Sequence, residues 1–234
     1  MQAFLDQVRA QPSMTQVRES LPRIVALPPV HARMINSLAR MEYVGVRKML
    51  KARHAAELDL EGLQHVLEEA SHALRLKRAA IKLNGGVEHG VRTFGAADTL
   101  AGDGAEDYLQ GVDRACEALL DRVLASEQPM EESARTELNY LLSSVIIEIR
   151  ADAFYPVYEE ALQAAGAPFS VRSILKDEER HLAEMLAGLE ARFPGSWREL
   201  IAEALVDEEA CFDSWANVMA KAAEEAAASL EAAS

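Results

Sequence analysis

The sequence predicts an all-α protein organised as a helical bundle. Three observations carry that prediction. The chain of 234 residues is rich in Ala, Leu and Glu and has only 12 Gly and 8 Pro, a composition that favours helix. Apolar residues recur at three- and four-residue steps over several long segments. No stretch alternates with the two-residue period of a half-buried strand, and no repeat of solenoid length stands out. Half of the residues are hydrophobic, enough for a sizeable core in one large domain or two small ones.

Residues 1–30 are read as an N-terminal arm, because Pro12, Pro22, Pro28 and Pro29 interrupt any long helix. From His31 to about Ala56 one helical face carries Ile35, Leu38, Glu42, Gly45, Val46 and Met49. A second helix, from about Asp59 to Leu83, presents Gly62, His65, Val66, Glu69, His72, Ala73 and Leu76, and Asn84-Gly85-Gly86 stops it. Residues 85–104, GGVEHGVRTFGAADTLAGDG, hold six of the 12 glycines and read as a crossover loop. An added helix within the crossover, about Ala105 to Ala125, has a stripe of Tyr108, Leu109, Val112, Cys116, Leu119 and Val123.

After Gln128-Pro129 a helix is expected from about Glu131 to Ala165, ended by Gly166 and Pro168. Pro156 lies inside it and is expected to kink it or follow a bulge. The next helix, about Val171 to Arg192, has Ser170 as its expected N-cap and Pro194-Gly195 as its stop. Ser196 then opens a long last helix whose buried side is marked by Trp197, Ile201, Leu205, Phe212, Trp215 and Met219. The final dozen residues, AEEAAASLEAAS, have little to bury and are expected to fray. The domain reading is an arm over 1–30, a four-helix bundle over 31–192 with the segment 85–130 as its crossover, and a C-terminal helix over 193–234 packed on the bundle.

A formal net charge of −14 argues against nucleic acid as the main partner, which needs clustered Lys and Arg, and against an anionic membrane surface. No segment approaches the roughly 20 apolar residues of a membrane span. The first residues lack the basic head and apolar run of a secretory signal. Cys116 and Cys211, the two cysteines, are too few for a disulfide framework or a four-thiolate site. They read as small core residues in a reducing cytoplasm.

The stretch 141–162, LLSSVIIEIRADAFYPVYEEAL, places Glu148 between Ile147 and Ile149. A carboxylate buried without a partner protonates or finds a cation. The rest of the chain offers a reason for it. EASH puts Glu69 and His72 three apart, and EERH puts Glu178 and His181 three apart, so each pair shares one helix face. Each pair follows a helix with one glutamate on its apolar face: Glu42 precedes Glu69 by 27 residues, and Glu148 precedes Glu178 by 30. A helical hairpin returns Glu69 to nearly the level of Glu42, at ~1.5 Å per residue, and Glu178 to within about a turn of Glu148. The two helices before the crossover thus echo the two after it. Four carboxylates and two imidazoles from four helices suit a pair of divalent ions. Oxygen-rich ligation favours iron or manganese over zinc.

Glu42, Glu69-x-x-His72, Glu148 and Glu178-x-x-His181 resemble the di-iron carboxylate motif of the ferritin-like superfamily. KDEERHLAEM, Lys176 to Met185, is similar to the corresponding helix of rubrerythrins. The resemblance covers roughly 31–84 and 131–192 and leaves out the arm, the crossover helix and the last helix. It implies a ferritin-like four-helix bundle with a long crossover. It also implies two iron ions, with manganese or a mixed iron/manganese pair as the alternative, held by Glu42, Glu69, His72, Glu148, Glu178 and His181 as the catalytic centre. Dioxygen or peroxide would be the reactant.

Other residues near the motif keep two readings each. His65, one turn before Glu69, is read as a core-edge histidine, the alternative being a third imidazole ligand as in some N-oxygenase relatives. Asp152 either accepts a hydrogen bond from the far nitrogen of His72 or His181 or caps a distortion near Pro156. Tyr43, Tyr155 and Tyr158 are read as packing residues, with a redox tyrosine as the alternative.

The leading functional expectation is a di-iron oxidase or oxygenase acting on a small organic substrate, because the extra segments could build a closed pocket. The second is iron oxidation or peroxide detoxification of the ferritin or rubrerythrin kind, with the acidic surface drawing in ferrous ions. The third is a non-enzymatic scaffold stabilised by metal. No four-cysteine rubredoxin module is present, so the electron donor is expected to be a separate protein. Trp197 and Trp215 are expected to bury the last helix against the bundle or a second copy of the chain, which leaves a homodimer as an alternative. A tRNA-hydroxylase role fits the charge poorly.

Overall fold

The computed structural model describes residues 1–52, 58–125 and 130–232. It contains α1 (Gln2–Arg9), α2 (Pro12–Val25), α3 (Pro28–Ala52), α4 (Leu60–Leu83), α5 (Gly104–Val123), α6 (Glu132–Ala164), α7 (Arg172–Arg192) and α8 (Trp197–Ala232). No strand occurs among the described residues, so the all-α prediction is met. None of these helices is long and apolar enough to cross a membrane.

The first 30 residues differ from the expected arm. They form α1, α2 and the opening of α3. The prolines stand mostly where a helix tolerates them: Pro12 begins α2, and Pro28 and Pro29 begin α3, where a missing N–H removes no intrahelical bond. Pro22 does lie inside α2, but the buried Val17, Leu21 and Ile24 hold that helix against α6 and α8.

Helix α3 packs along α4, and α6 packs along α7. These two pairs bring together the helices that carry the Glu and Glu-x-x-His residues. Helix α5 lies on α3, α6 and α8, while α8 also covers α2. Between α5, α6 and α8 sits an aromatic layer of Tyr108, Phe154, Phe212 and Trp215, with Phe212 and Trp215 centroids 5.5 Å apart and Tyr108 and Phe212 centroids 5.6 Å apart. Gly111 allows the close approach of α5 to α8. A Cβ there would stand 2.9 Å from Cys211 Sγ, closer than side-chain packing permits.

Several finer expectations shift. Helix α3 ends at Ala52 among the described residues, and its expected continuation through 53–56 lies outside them, as does the Gln128-Pro129 break. Val123, expected on the buried stripe of α5, is 42% exposed. Helix α6 continues through Pro156. Val171, not Ser170, takes the N-cap position of α7, yet Ser170 Oγ accepts the Arg172 N–H at 3.2 Å, so it still satisfies a terminal donor. Helix α8 extends to Ala232 with Ala223 buried, and positions 233–234 of the segment expected to fray lie outside the described residues. The glycine-rich segment is pinned onto α3. Asn36 donates to the carbonyls of Thr93 and Asp98, each at 2.8 Å, and Ser37 Oγ accepts from the Leu100 N–H at 2.9 Å.

Candidate metal centre

Glu42 and Gly45 come from α3, His65, Glu69 and His72 from α4, Glu148 from α6, and Glu178 and His181 from α7. Their ligand atoms fall into two groups. Glu42, Glu69, His72 and Glu178 form one, and His65, Glu69, Glu148 and His181 form the other, with the atoms of each group within 4.8 Å of one another. All six residues expected from the sequence are therefore brought together. Glu69 belongs to both groups. Glu178 also reaches across, its Oε1 3.0 Å from His72 Nδ1 and its Oε2 3.0 Å from His181 Nδ1.

Each imidazole turns Nδ1 inward and holds an acid with Nε2. His72 Nε2 lies 3.1 Å from Asp177 Oδ2, and His181 Nε2 lies 2.9 Å from Glu68 Oε2. Glu68 is bound in turn by Arg180. These contacts fix ring orientation and aim Nδ1 at the carboxylates, where on losing its proton it could bind a cation. They also correct the reading of Asp152, which serves neither ring. The acids that do so each precede a motif glutamate, in EEASH and DEERH. The acid of one half serves the histidine of the other. That doubled acidic residue was a signal in the sequence.

His65, expected at the core edge, lies inside the cluster. Its ring stacks on His181 with centroids 3.7 Å apart, and its Nε2 is 3.4 Å from Glu69 Oε1. Tyr155 donates to Glu42 Oε1 at 2.5 Å. Tyr43 is 45% exposed and stacks on Phe94, and Tyr158 bonds to His31 Nε2 at 2.6 Å. Of the three tyrosines, Tyr155 alone contacts a residue of the cluster through an observed hydrogen bond.

The protonation pattern follows from crowding acids away from water. Burial, with Glu69 and Glu178 nearby, pushes Glu42 up to about 8 despite His72. Burial, Glu178 and Glu69 push Glu148 well above the ordinary carboxylate range. Glu69 moves the other way. Burial opposes its ionisation, but the His181 and His65 rings beside it bring it down to about 2. For the two rings burial favours the neutral form, and the surrounding carboxylates outweigh it. His72 is pushed up to about 11, chiefly by Glu178 and Glu42, and His181 to about 10, chiefly by Glu178, Glu69 and Glu68.

Divalent ions fit this arrangement on two further observations. Glu69 Oε1 and His72 Nδ1 are buried without a well-aligned hydrogen bond, and the atoms nearest them, His181 Nδ1 and His65 Nε2 for the first and Glu178 Oε1 for the second, are themselves possible ligands that a shared cation would satisfy together. Gly45 faces Glu69, where a Cβ would stand 3.4 Å from Oε2, so the absence of a side chain keeps that flank open. A cavity of about 110 Å³ adjoins the cluster. Glu42, Glu69, Glu148 and Glu178 line it, and Leu109, Phe154, Phe212 and Trp215 supply much of its apolar wall.

No family model matches the chain, and no curated protein or solved structure matches it either.

Proposed function

We propose that the chain is a dimetal carboxylate oxidoreductase of ferritin-like kind, with iron in both positions, that activates dioxygen or peroxide toward a small organic substrate. The observation that carries this reading is the joining of two ligand groups, sharing Glu69, to one mainly apolar cavity. Glu42, His72, Glu69 and Glu178 would hold one ion, and His181, Glu148 and Glu69 the other, with His65 available to the second. When bound, such a pair supplies the electrons and the Lewis acidity for reducing dioxygen or peroxide.

The chain's own groups do the rest. Asp177 and Glu68 orient the two imidazoles. Tyr155 holds one oxygen of Glu42 by its hydroxyl and so sets the direction of the other. Phe154, Phe212 and Trp215 give the cavity an apolar wall, and a substrate seated against it would displace water and strengthen the electrostatic interactions within. A separate protein is the proposed source of electrons.

Iron oxidation without an organic substrate is the second reading, and it rests on the net charge of −14. A mainly apolar cavity beside the ligands serves no purpose in that chemistry, which places the organic substrate first. The test is dioxygen uptake by ferrous-loaded protein with and without small apolar compounds. Uptake that depends on the organic compound and yields an altered product is expected. Rapid uptake driven by ferrous ion alone, unchanged by every compound, would favour the second reading.

A further inference from the structure

The cavity beside the metal centre also contains a buried cation. Arg150 is 3% exposed, lies two residues beyond Glu148 on α6, and lines the same cavity. Its guanidinium is engaged along one edge. Nε donates to Glu208 Oε1 at 2.8 Å and Nη2 to Glu208 Oε2 at 2.5 Å. Nη2 also reaches Gln11 Oε1 at 2.6 Å and Glu209 Oε2 at 3.1 Å. Nη1, with two N–H groups to donate, is buried and has no partner. The guanidinium carbon sits 4.0 Å from the ring centroid of Phe212, a wall of the cavity.

A buried charged donor left unpaired is costly and rare. Beside a cavity, it points to an acceptor brought from outside the chain. Charge decides which kind. Glu208 is fully buried and Glu209 largely so, and both already face the single positive charge of Arg150. Lys48, the other cation in the cavity wall, is paired with Asp113 at 2.5 Å. A carboxylate ligand would add to a negative surplus, whereas a neutral oxygen would not.

We propose that Arg150 Nη1 is the specificity-determining donor for a small, largely apolar substrate bearing one neutral carbonyl-type oxygen. The hydrocarbon part of that substrate lies against Phe154, Phe212 and Trp215. The cavity, about 110 Å³, is of the order of the engineered apolar cavity of about 150 Å³ that accepts benzene. A skeleton of about five or six carbons fits that scale. The inference deepens the oxidoreductase reading and rests on it for the word substrate. The binding site stands on its own geometry.

The test compares cyclopentanone, methylenecyclopentane and cyclobutanecarboxylate as probes of metal-loaded protein, by calorimetry or ligand-observed NMR. Cyclopentanone is expected to bind about tenfold or more tightly than its isostere lacking the oxygen, and more tightly than the carboxylate. The ketone-to-alkene ratio is expected to fall close to one in Arg150→Lys, which keeps a cation for Glu208 but has no Nη1. The charge-balanced pair Arg150→Met with Glu208→Gln should do the same and guards against misfolding of the single variant. Equal binding of ketone and alkene in the parent protein, a ratio unchanged in both variants, tighter binding of the carboxylate, or no binding of any probe would each overturn the proposal. Metal content is measured on the same samples. Full metal content without discrimination removes this inference alone. Discrimination without bound metal supports the site and removes the oxidoreductase reading.

Discussion

Glu148→Gln exchanges one oxygen for an amide nitrogen and deletes a protonation site. In the metal-free protein, burial with Glu178 and Glu69 close by raises the Glu148 carboxyl well above its ordinary range and so favours its neutral form. The amide therefore replaces a neutral acid. Stability of the metal-free variant should stay within about 1 kcal/mol of the parent, a Tm change of no more than about 2–4 °C for a chain of this size. Metal loading should differ sharply. With Glu42 up at about 8, His72 at about 11 and His181 at about 10, all three carry protons at pH 7. Entry of two divalent ions should release about three protons from these groups in parent and variant alike, and the parent should release more than the variant because Glu148, raised in the same direction, has no counterpart in the amide. Affinity in the variant should drop by more than about 100-fold, because even partners outside the ligand set are worth roughly 10–100-fold. The sign in pH follows: protons compete with metal, so parent affinity falls as pH falls from 8 toward 6. Calorimetric titration with manganous ion in two buffers of different ionisation enthalpy counts the protons. Unchanged metal affinity and proton count in the variant, or a loss of several kcal/mol of metal-free stability, would refute the reasoning. The latter result would mean that Glu148 is ionised and held by the protein's own donors.

Asp177→Asn and Glu68→Gln should each lower the affinity of one metal position by about 10–100-fold while leaving the other nearly intact, since each acid orients a different imidazole; stepwise titration reads the two positions. Glu208→Gln removes the main partner of buried Arg150 and should destabilise the fold by about 3–5 kcal/mol, seen as a fall in the denaturant midpoint. His31 is brought down to about 4 by burial, against an ordinary value of about 6.5. The unfolded chain therefore takes up this proton first. The stabilisation is complete above about pH 6.5 and is lost as pH falls toward 4, a change of about 3 kcal/mol at ~1.36 kcal/mol per unit. In His31→Gln, stability measured by denaturant should decline less steeply across that interval.

The helices were legible because their signals are local: apolar steps of three and four, Asn84-Gly85-Gly86, and Gly166 with Pro168. The clustering of the six candidate residues was legible because two Glu-x-x-His motifs and two inward glutamates recur in one order. What escaped depended on contacts between distant segments. Asp152 lies one turn from Glu148 and so suggested itself as a partner for an imidazole, but Asp177 and Glu68 take that place from the opposite half. His65 differs from a core-edge histidine only through its stacking on His181. Prolines at 12, 28 and 29 read as breaks, although each can open a helix. Arg150 gave no sign in an apolar stretch, since its partner Glu208 is 58 residues away.

Cooperative assembly of the two ligand groups around Glu69 is the claim on which the functional reading depends. Anaerobic ferrous titration of the full chain and of Glu69→Gln, with bound iron counted and magnetic coupling read by Mössbauer spectroscopy and magnetic susceptibility, tests it most directly. The account predicts two coupled ferrous ions per chain and the loss of that coupled pair in Glu69→Gln. Fewer than one ion per chain, or two uncoupled ions whose binding is indifferent to Glu69, would contradict it.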